Sequence, residues 1–446
     1  MAAAAMNRVS PAPAASNRSN RLSAGDAAAE IAAGRLTSEA LVRDCLDRIA
    51  AREPTVGAWA HLDPDRALQQ ARELDRQGAS GCLHGIPVGW KDVIDCQGLP
   101  TACGSPIYRE HVAATDAGAV AMSRRAGALV MGKTVTAEFA ASSPGGTTNP
   151  YDASHTPGGS SSGSAAAVAD RMVPLAIGTQ TGGSVIRPAS FCGVVGFKPS
   201  FGLVNRYGVK QLADSFDTIG TFARSVADTG LLVAAVTGRK DFLDVPFERP
   251  LRVALCKGED WSEAEEASLG ALDAALRILS GNGVAVSEVQ LPPVFNGMPH
   301  AHHDIEYFEL ARALQHEYRC HRALLSEAIL GRIERGLACE PSTYEAALAL
   351  RRQCQGMIDE SAFGDVDLLL APSAPGEALS GLATTGKAVF NRLWTALGLP
   401  CVTLPGFRGP KGLPVGIQLI ARPRQDVKLL AHASWIEHLL PQPTSP

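Results

Sequence analysis

Hydrophobic positions along the chain change their period three times. From residue 24 to 77 they recur at helical spacing. Asp26 can cap a helix over 27–34. Thr37, Ser38 and Glu39 open a second that runs to about residue 51, with Leu41, Cys45, Leu46 and Ile49 on one face, and 63–77 reads as a third. From 81 to 220, short apolar runs alternate with glycine-rich turns and helices of small residues. The runs 86–90, 128–131, 173–177 and 194–197 predict strands, with helices at 116–127 and 163–170 between them. Such alternation predicts an α/β layered fold. Between 240 and 365, a strand pattern at 252–256 precedes helical patterns at 262–280, 304–320, 322–335 and 342–360. This stretch predicts a helical insertion over the α/β core. A strand at 368–371, a helix at 390–397, a strand at 415–420 and a helix at 426–439 close the chain. There is no repeat of fixed period and no Pro/Gly/Ser linker, so one continuous domain is expected over 22–446. Residues 1–21 hold no acid and no apolar core, and are expected to be a disordered N-terminal extension.

Composition narrows the partners. The 446 residues carry 41 Lys and Arg against 45 Asp and Glu, a net charge of -4. That leaves no basic footprint for nucleic acid and no polybasic patch for a membrane, so neither is expected as a partner. No apolar run approaches the roughly 18 residues of a membrane span. With 44 Gly and 29 Pro, turns and glycine-built loops are abundant without low complexity. Ten cysteines are too sparse for a disulfide scaffold, and none forms C-x-x-C or a zinc spacing. A reduced, cytoplasmic chain is expected.

Three patterns compete for the chemistry. Residues 127–134 satisfy G-x-x-x-x-G-K-[ST]. The would-be phosphate loop, however, is an apolar run suited to a buried strand. Residues 159–163 satisfy G-x-S-x-G, yet a turn precedes them where a nucleophile elbow needs a strand. The third pattern is spread out. A loop at 157–163 enters an alanine-rich helix, residues 178–184 follow a strand, and the lone Lys91 closes another strand. Glycines 182 and 183 let three or four backbone amides converge on one point beside a serine, an oxyanion hole with a nucleophile next to it. The serine loop offers a second hydroxyl, and a lysine desolvated at a strand end can lose its proton and act as base.

The stretches 85–92 (GIPVGWKD), 156–168 (TPGGSSSGSAAAV), 178–185 (GTQTGGSV) and 188–199 (PASFCGVVGFKP) together resemble the amidase signature family of serine hydrolases. Phe216-Asp217, 224–228, 371–375, 398–400 and 416–418 continue the likeness, so it spans most of the chain and is weakest at 240–365. The resemblance implies one amidase-signature domain, its core at about 81–225, built on a central mixed β-sheet with helices on both faces. It implies a relay in which Lys91, Ser160 in a cis peptide and the nucleophile Ser184 cleave an amide. Thr181, Gly182 and Gly183 help hold the oxyanion, and Gly159 and Ser161 contact substrate. No metal or organic cofactor is implied. Three departures stand out: Gln180 replaces a common aspartate, Arg187 lies three rather than two residues after the nucleophile, and Asp92-Val93 replaces Asp-Asn.

The reading this favours is a stand-alone amidohydrolase acting on a small-molecule amide, with a homodimer as the family-based expectation. Its alternative is the glutaminase subunit of a tRNA-dependent amidotransferase, ranked second because the segment 140–151 is short. A silent binding fold is argued against by the intact Lys91, Ser160 and Ser184. His300, His302 and His303 are expected on a loop rather than at a metal. Asp217 and Arg224 are expected to hold the core together, Phe295, Tyr307, Phe308 and Tyr318 to pack, and Cys192 to be buried.

Overall fold

The computed structural model describes residues 19–141, 143–244, 247, 251–442 and 446. Eleven strands form one sheet: β1 (Trp59–Leu62), β2 (Pro87–Lys91), β3 (Leu129–Thr134), β4 (Leu175–Gln180), β5 (Val195–Lys198), β6 (Thr218–Ala223), β7 (Arg252–Lys257), β8 (Ala285–Gln290), β9 (Leu368–Pro372), β10 (Cys401–Arg408) and β11 (Pro414–Ile420). Their spatial order is β1-β3-β2-β4-β6-β5-β10-β11-β9-β7-β8. The pairs β2/β3, β2/β4, β7/β8 and β7/β9 are parallel and the others antiparallel, so the sheet is mixed. Every residue of β2, β3, β4, β5, β6, β9 and β11 is buried. Burial on both faces means helices cover both, and it explains why these strands read as apolar runs rather than alternating ones. The fold is α/β, as expected.

Register places the chemistry. Trp90 pairs with Ile177 across β2/β4, so Lys91 arrives beside Thr179, near the end of β4. Gly178, Thr179 and Gln180 pair with Gly220, Ile219 and Thr218 of β6, which brings Asp217 level with Thr181. The P-loop pattern dissolves here, because β3 occupies Leu129–Thr134 and is buried throughout.

The insertion at 240–365 is not wholly helical. Its strands β7 and β8 join β9 and extend the sheet to one edge. Its helices Met298–Ala313, Glu327–Ala338 and Pro341–Ile358 pack together beside it. The first begins six residues earlier than the pattern suggested, with Pro299 in its opening turn, so His300, His302 and His303 lie on a helix and not on a loop. Near the N-terminus, Ser23 rather than Asp26 caps the helix Ala24–Ala32, its hydroxyl accepting from the Asp26 amide at 2.9 Å. Of the expected extension 1–21, residues 1–18 lie outside the described residues, and Ser19–Arg21 form a 3-10 turn. Among the described residues no helix is long and apolar enough to cross a membrane.

Candidate active site

The last residue of β2 is Lys91, wholly buried. Its Nζ lies 2.8 Å from Ser160 Oγ, 2.8 Å from Thr179 Oγ1 and 3.4 Å from the Thr179 carbonyl oxygen. Among the described residues no carboxylate comes within ion-pair distance of it. Burial therefore dominates and pushes the amine down to about 7; the Asp217 charge opposes this and Arg187 adds to it. Lys133, a neighbour on β3, shows the contrast: it is equally buried but meets Asp92 at 3.2 Å.

Ser160 is buried and follows a cis Gly159–Ser160 peptide bond. The Gly159 carbonyl accepts from Arg187 Nη2 at 2.5 Å, and the same nitrogen donates to Thr385 Oγ1 at 3.2 Å. Arg187, three residues after Ser184 in the sequence, thus grips the peptide that presents Ser160. Burial brings its guanidinium down to about 9. Ser161 is buried as well. Its hydroxyl donates to the Thr179 carbonyl and accepts from the Thr179 amide, both at 3.2 Å, which pins the serine loop to β4.

Ser184 ends the turn after β4, where it is 8% exposed. Among the described residues no acceptor takes the amide protons of Gly182, Gly183 or Ser184. The next two amides are committed: Val185 and Ile186 both donate to Gln180 Oε1, at 2.8 and 3.0 Å. Gln180 Nε2 donates to Thr395 Oγ1 at 2.9 Å, and Thr395 donates to the Gly182 carbonyl at 2.7 Å. A glutamine suits this place because its amide accepts on one side and donates on the other. A Gln180→Leu variant leaves two buried amides unpaired, and is expected to lose about 2–5 kcal/mol of stability in urea unfolding. An unchanged midpoint would remove Gln180 from this anchoring role.

Gly183 is required by crowding, since a Cβ there would stand 2.4 Å from Asn391 Oδ1. Thr181 is held at both ends. Its hydroxyl donates to Asp217 Oδ1 at 2.6 Å, and its carbonyl accepts from His302 Nε2 at 2.9 Å. Asp217 Oδ2 accepts from the amides of Leu212 and Ala213, while burial pushes its carboxyl up to about 6. His302 is buried, stacked on Phe216 with centroids 4.4 Å apart, and pushed down to about 3 by burial. A neutral ring has one N–H, and here it is spent on Thr181. Among the described residues no group of His, Cys, Asp and Glu could hold a metal. Cys192 is buried and its thiol is pushed up, so it is packing. Arg224 ties Val173 and Leu22 through their carbonyls.

Sequence reasoning singled out His302 but set it on a loop, and missed Thr179, Asn391 and Thr395. The last two sit on the helix Val389–Ala396 and, with Ala388 just before it, face the nucleophile turn. Its Val389, Phe390, Leu393 and Trp394 face away, onto a cavity of about 520 Å³ that also takes in Phe295. None of Lys91, Ser160 and Ser184 lines that cavity. Tyr307 stacks on His303, and Phe308 on Tyr344.

Known proteins place this arrangement. A family model described as Amidase matches residues 40–430. A subunit of the glutamyl-tRNA(Gln) amidotransferase of Synechococcus is 34% identical over 86% of this chain and 91% of its own length. Among solved structures, the peptide amidase of Stenotrophomonas maltophilia is 30% identical with a TM-score of 0.82, covering 96% of this chain and 98% of that one. The corresponding glutamyl-tRNA(Gln) amidotransferase subunit of Thermotoga maritima is 27% identical with a TM-score of 0.79, over 96% and 98%. These relatives correct the expected partner set of a small-molecule amide, no nucleic acid and a homodimer. A chain this similar is by name one subunit of an amidotransferase of a charged tRNA. The physical reason for the error is plain: net charge describes this chain's own surface and says nothing of what a companion subunit carries. From the signature stretches through the matched span 40–430, the chain belongs to the amidase family.

Proposed function

We propose that the chain hydrolyses the C–N bond of a carboxamide through an acyl-enzyme on Ser184, as the amide-cleaving subunit of a tRNA-dependent amidotransferase. One observation carries the chemistry: a buried lysine without a carboxylate partner, brought down to about 7, stands 2.8 Å from Ser160 Oγ. A neutral Lys91 keeps a lone pair for the Ser160 proton while its N–H groups donate to Thr179. Ser160 in turn takes the proton of Ser184, whose Oγ attacks the carbonyl carbon. The amides of Gly182, Gly183 and Ser184 are disposed to take the oxyanion. The proton returns along the relay to the leaving nitrogen, the C–N bond breaks, and ammonia departs. Water then adds to the ester by the same path, leaving a carboxylate and free Ser184.

The amidotransferase reading rests on the curated relatives, matched at 34% identity over nine-tenths of their length. The peptide amidase of similar fold favours a second reading, an enzyme that cleaves amides without partners. Tagging the chain in its own cells separates the two. Companion subunits that copurify and raise glutamine hydrolysis are the expected result. A chain that purifies alone, ignores glutamine and cleaves peptide amides would leave the second reading. The ten cysteines, all free thiols, fit a reducing compartment, and we place the chain in the cytoplasm.

A further inference from the structure

We infer that the cavity behind the helix Val389–Ala396 is a second binding site, one that takes a small organic cation with an apolar body. It stands apart from the hydrolase reading and does not depend on it, because none of Lys91, Ser160 and Ser184 lines this cavity.

The topology puts the cavity where parallel strands hold ligands. From β7 the chain runs through the helix Glu266–Gly281 to β8 on one side, then crosses back to β9 on the other, giving the parallel order β9-β7-β8. The two crossovers cover opposite faces of β7. Val253 and Leu255 share an apolar cluster with Leu272 and Ala275 of the first, whereas Ala254 and Cys256 share one with Met298 and Ala301 of the second. Crossovers that leave on opposite faces open a crevice outside the carboxyl ends of the strands, where open α/β sheets bind ligands. The cavity lies there. It takes in Lys257 at the end of β7, Gln290 at the end of β8 and Ala371 next to the end of β9. Its volume of about 520 Å³ falls in the range of small-molecule sites.

The lining says what would fill it. Leu291, Phe295, Phe390, Leu393 and Trp394 make an apolar wall. Against them stands the 3-10 turn Glu259–Glu263, whose Glu259 is exposed and Asp260 half-buried, both lining the cavity. Among the described residues no cation pairs with either carboxylate. The cations close by are engaged or held off. Lys257 meets Glu288 at 2.9 Å and stands 5.5 Å over the Trp261 ring, and Lys387 meets Glu263 at 2.6 Å. Burial first, and the Glu259 charge next, push the Asp260 carboxyl up; Arg392 opposes them from beyond ion-pair distance. The result is an apolar chamber with two open carboxylates at one end. An apolar body fills the chamber, and an ammonium head answers the carboxylates. An anion would meet both carboxylates, and a polar body would be stripped of water against the aromatic wall.

The test is calorimetry on the purified chain, with any companion subunits, using four probes. Phenethylamine carries both the ring and the charge, 2-phenylethanol the ring alone, 3-phenylpropanoate the ring with the opposite charge, and ethylamine the charge alone. Phenethylamine is expected to bind with a Kd below about 1 mM, and the other three about tenfold or more weakly. Glu259→Gln with Asp260→Asn, both away from the core, is expected to bring phenethylamine level with 2-phenylethanol. Leu393→Trp, which fills the chamber, is expected to weaken both. Ser184→Ala is expected to bind phenethylamine as the wild-type chain does. No binding of phenethylamine at about 1 mM, equal binding of the amine and the alcohol, or indifference to the loss of both carboxylates overturns the inference. So does binding that Ser184→Ala abolishes, since the amine would then occupy the nucleophile's own site. None of these outcomes bears on whether Ser184 cleaves amides.

Discussion

Replacing Ser184 by alanine is expected to lower amide turnover by about a million-fold, to a residue set by binding and the remaining donors. The size of the loss follows from the site. Ser184 closes the turn whose Gly182 and Gly183 amides have no acceptor among the described residues, and two neighbouring candidates are committed elsewhere. Ser161 is spent on both backbone groups of Thr179, and the thiol of Cys192 is pushed up by burial. A fluorophosphonate probe read by peptide mass spectrometry checks the assignment without knowledge of the substrate. The label should sit on Ser184, vanish in Ser184→Ala, and survive Ser161→Ala if that protein folds. A label on Ser161 in the wild-type chain would overturn the assignment.

Lys91→Met is expected to cost about a hundred- to ten-thousand-fold in kcat, the range for losing a positioned base. Methionine keeps the length and burial of the side chain, so packing along β2 changes little. The wild-type pH profile provides the finer test. The proposed relay needs Lys91 neutral, and burial brings its amine down to about 7 from an ordinary value near 10.5. As pH falls through 7 the amine takes a proton, its lone pair is lost and the rate drops; above 7 the rate levels off. Seen in kcat/KM, this limb belongs to the free enzyme, and it should be absent from the residual activity of Lys91→Met. A limb that persists unchanged in that variant would assign it to another group.

Much of this site was legible in the sequence because its parts are local. Lys91 closes a strand, and Ser160 and Ser184 sit in glycine-rich stretches whose backbone freedom is itself the signal. The supporting side chains were not legible. His302, Asn391 and Thr395 lie more than a hundred residues from the turn they serve, on helices whose patterning shows which face is apolar and not what that face meets. Arg187 and Gln180 were visible as departures from a family pattern, yet their work lies in distances to Gly159, Val185 and Ile186 that only folding sets.

The strands divide in the same way. Buried runs such as β4 and β9 were read within two or three residues. Four strands were not read, each for its own reason. β1 is four residues long, and β6 carries Thr and Gly among its apolar residues. β8 is an exposed edge whose sequence offers few apolar positions. β10 contains Pro405 and Gly406, where its register against β11 shifts. The strand pairs β7/β8 and β7/β9 also show why 240–365 looked like a helical addition: parallel pairing needs crossovers, and the crossover helices dominate the pattern.

That Lys91 meets no carboxylate among the described residues has a thermodynamic side. In the unfolded chain this amine binds a proton up to about pH 10.5, whereas in the folded protein it releases that proton above about 7. Between those values the unfolded state holds one more proton than the native state, so folding gains stability as pH rises, by about 1.4 kcal/mol per unit from this group alone. Below 7 the native state must bury the charge as well, and the gain is gone. At neutral pH the protein therefore folds with its relay lysine close to its least favourable setting. The nitrogen on which the proposed relay depends also weakens the fold, and Lys91→Met should come out far slower yet harder to melt.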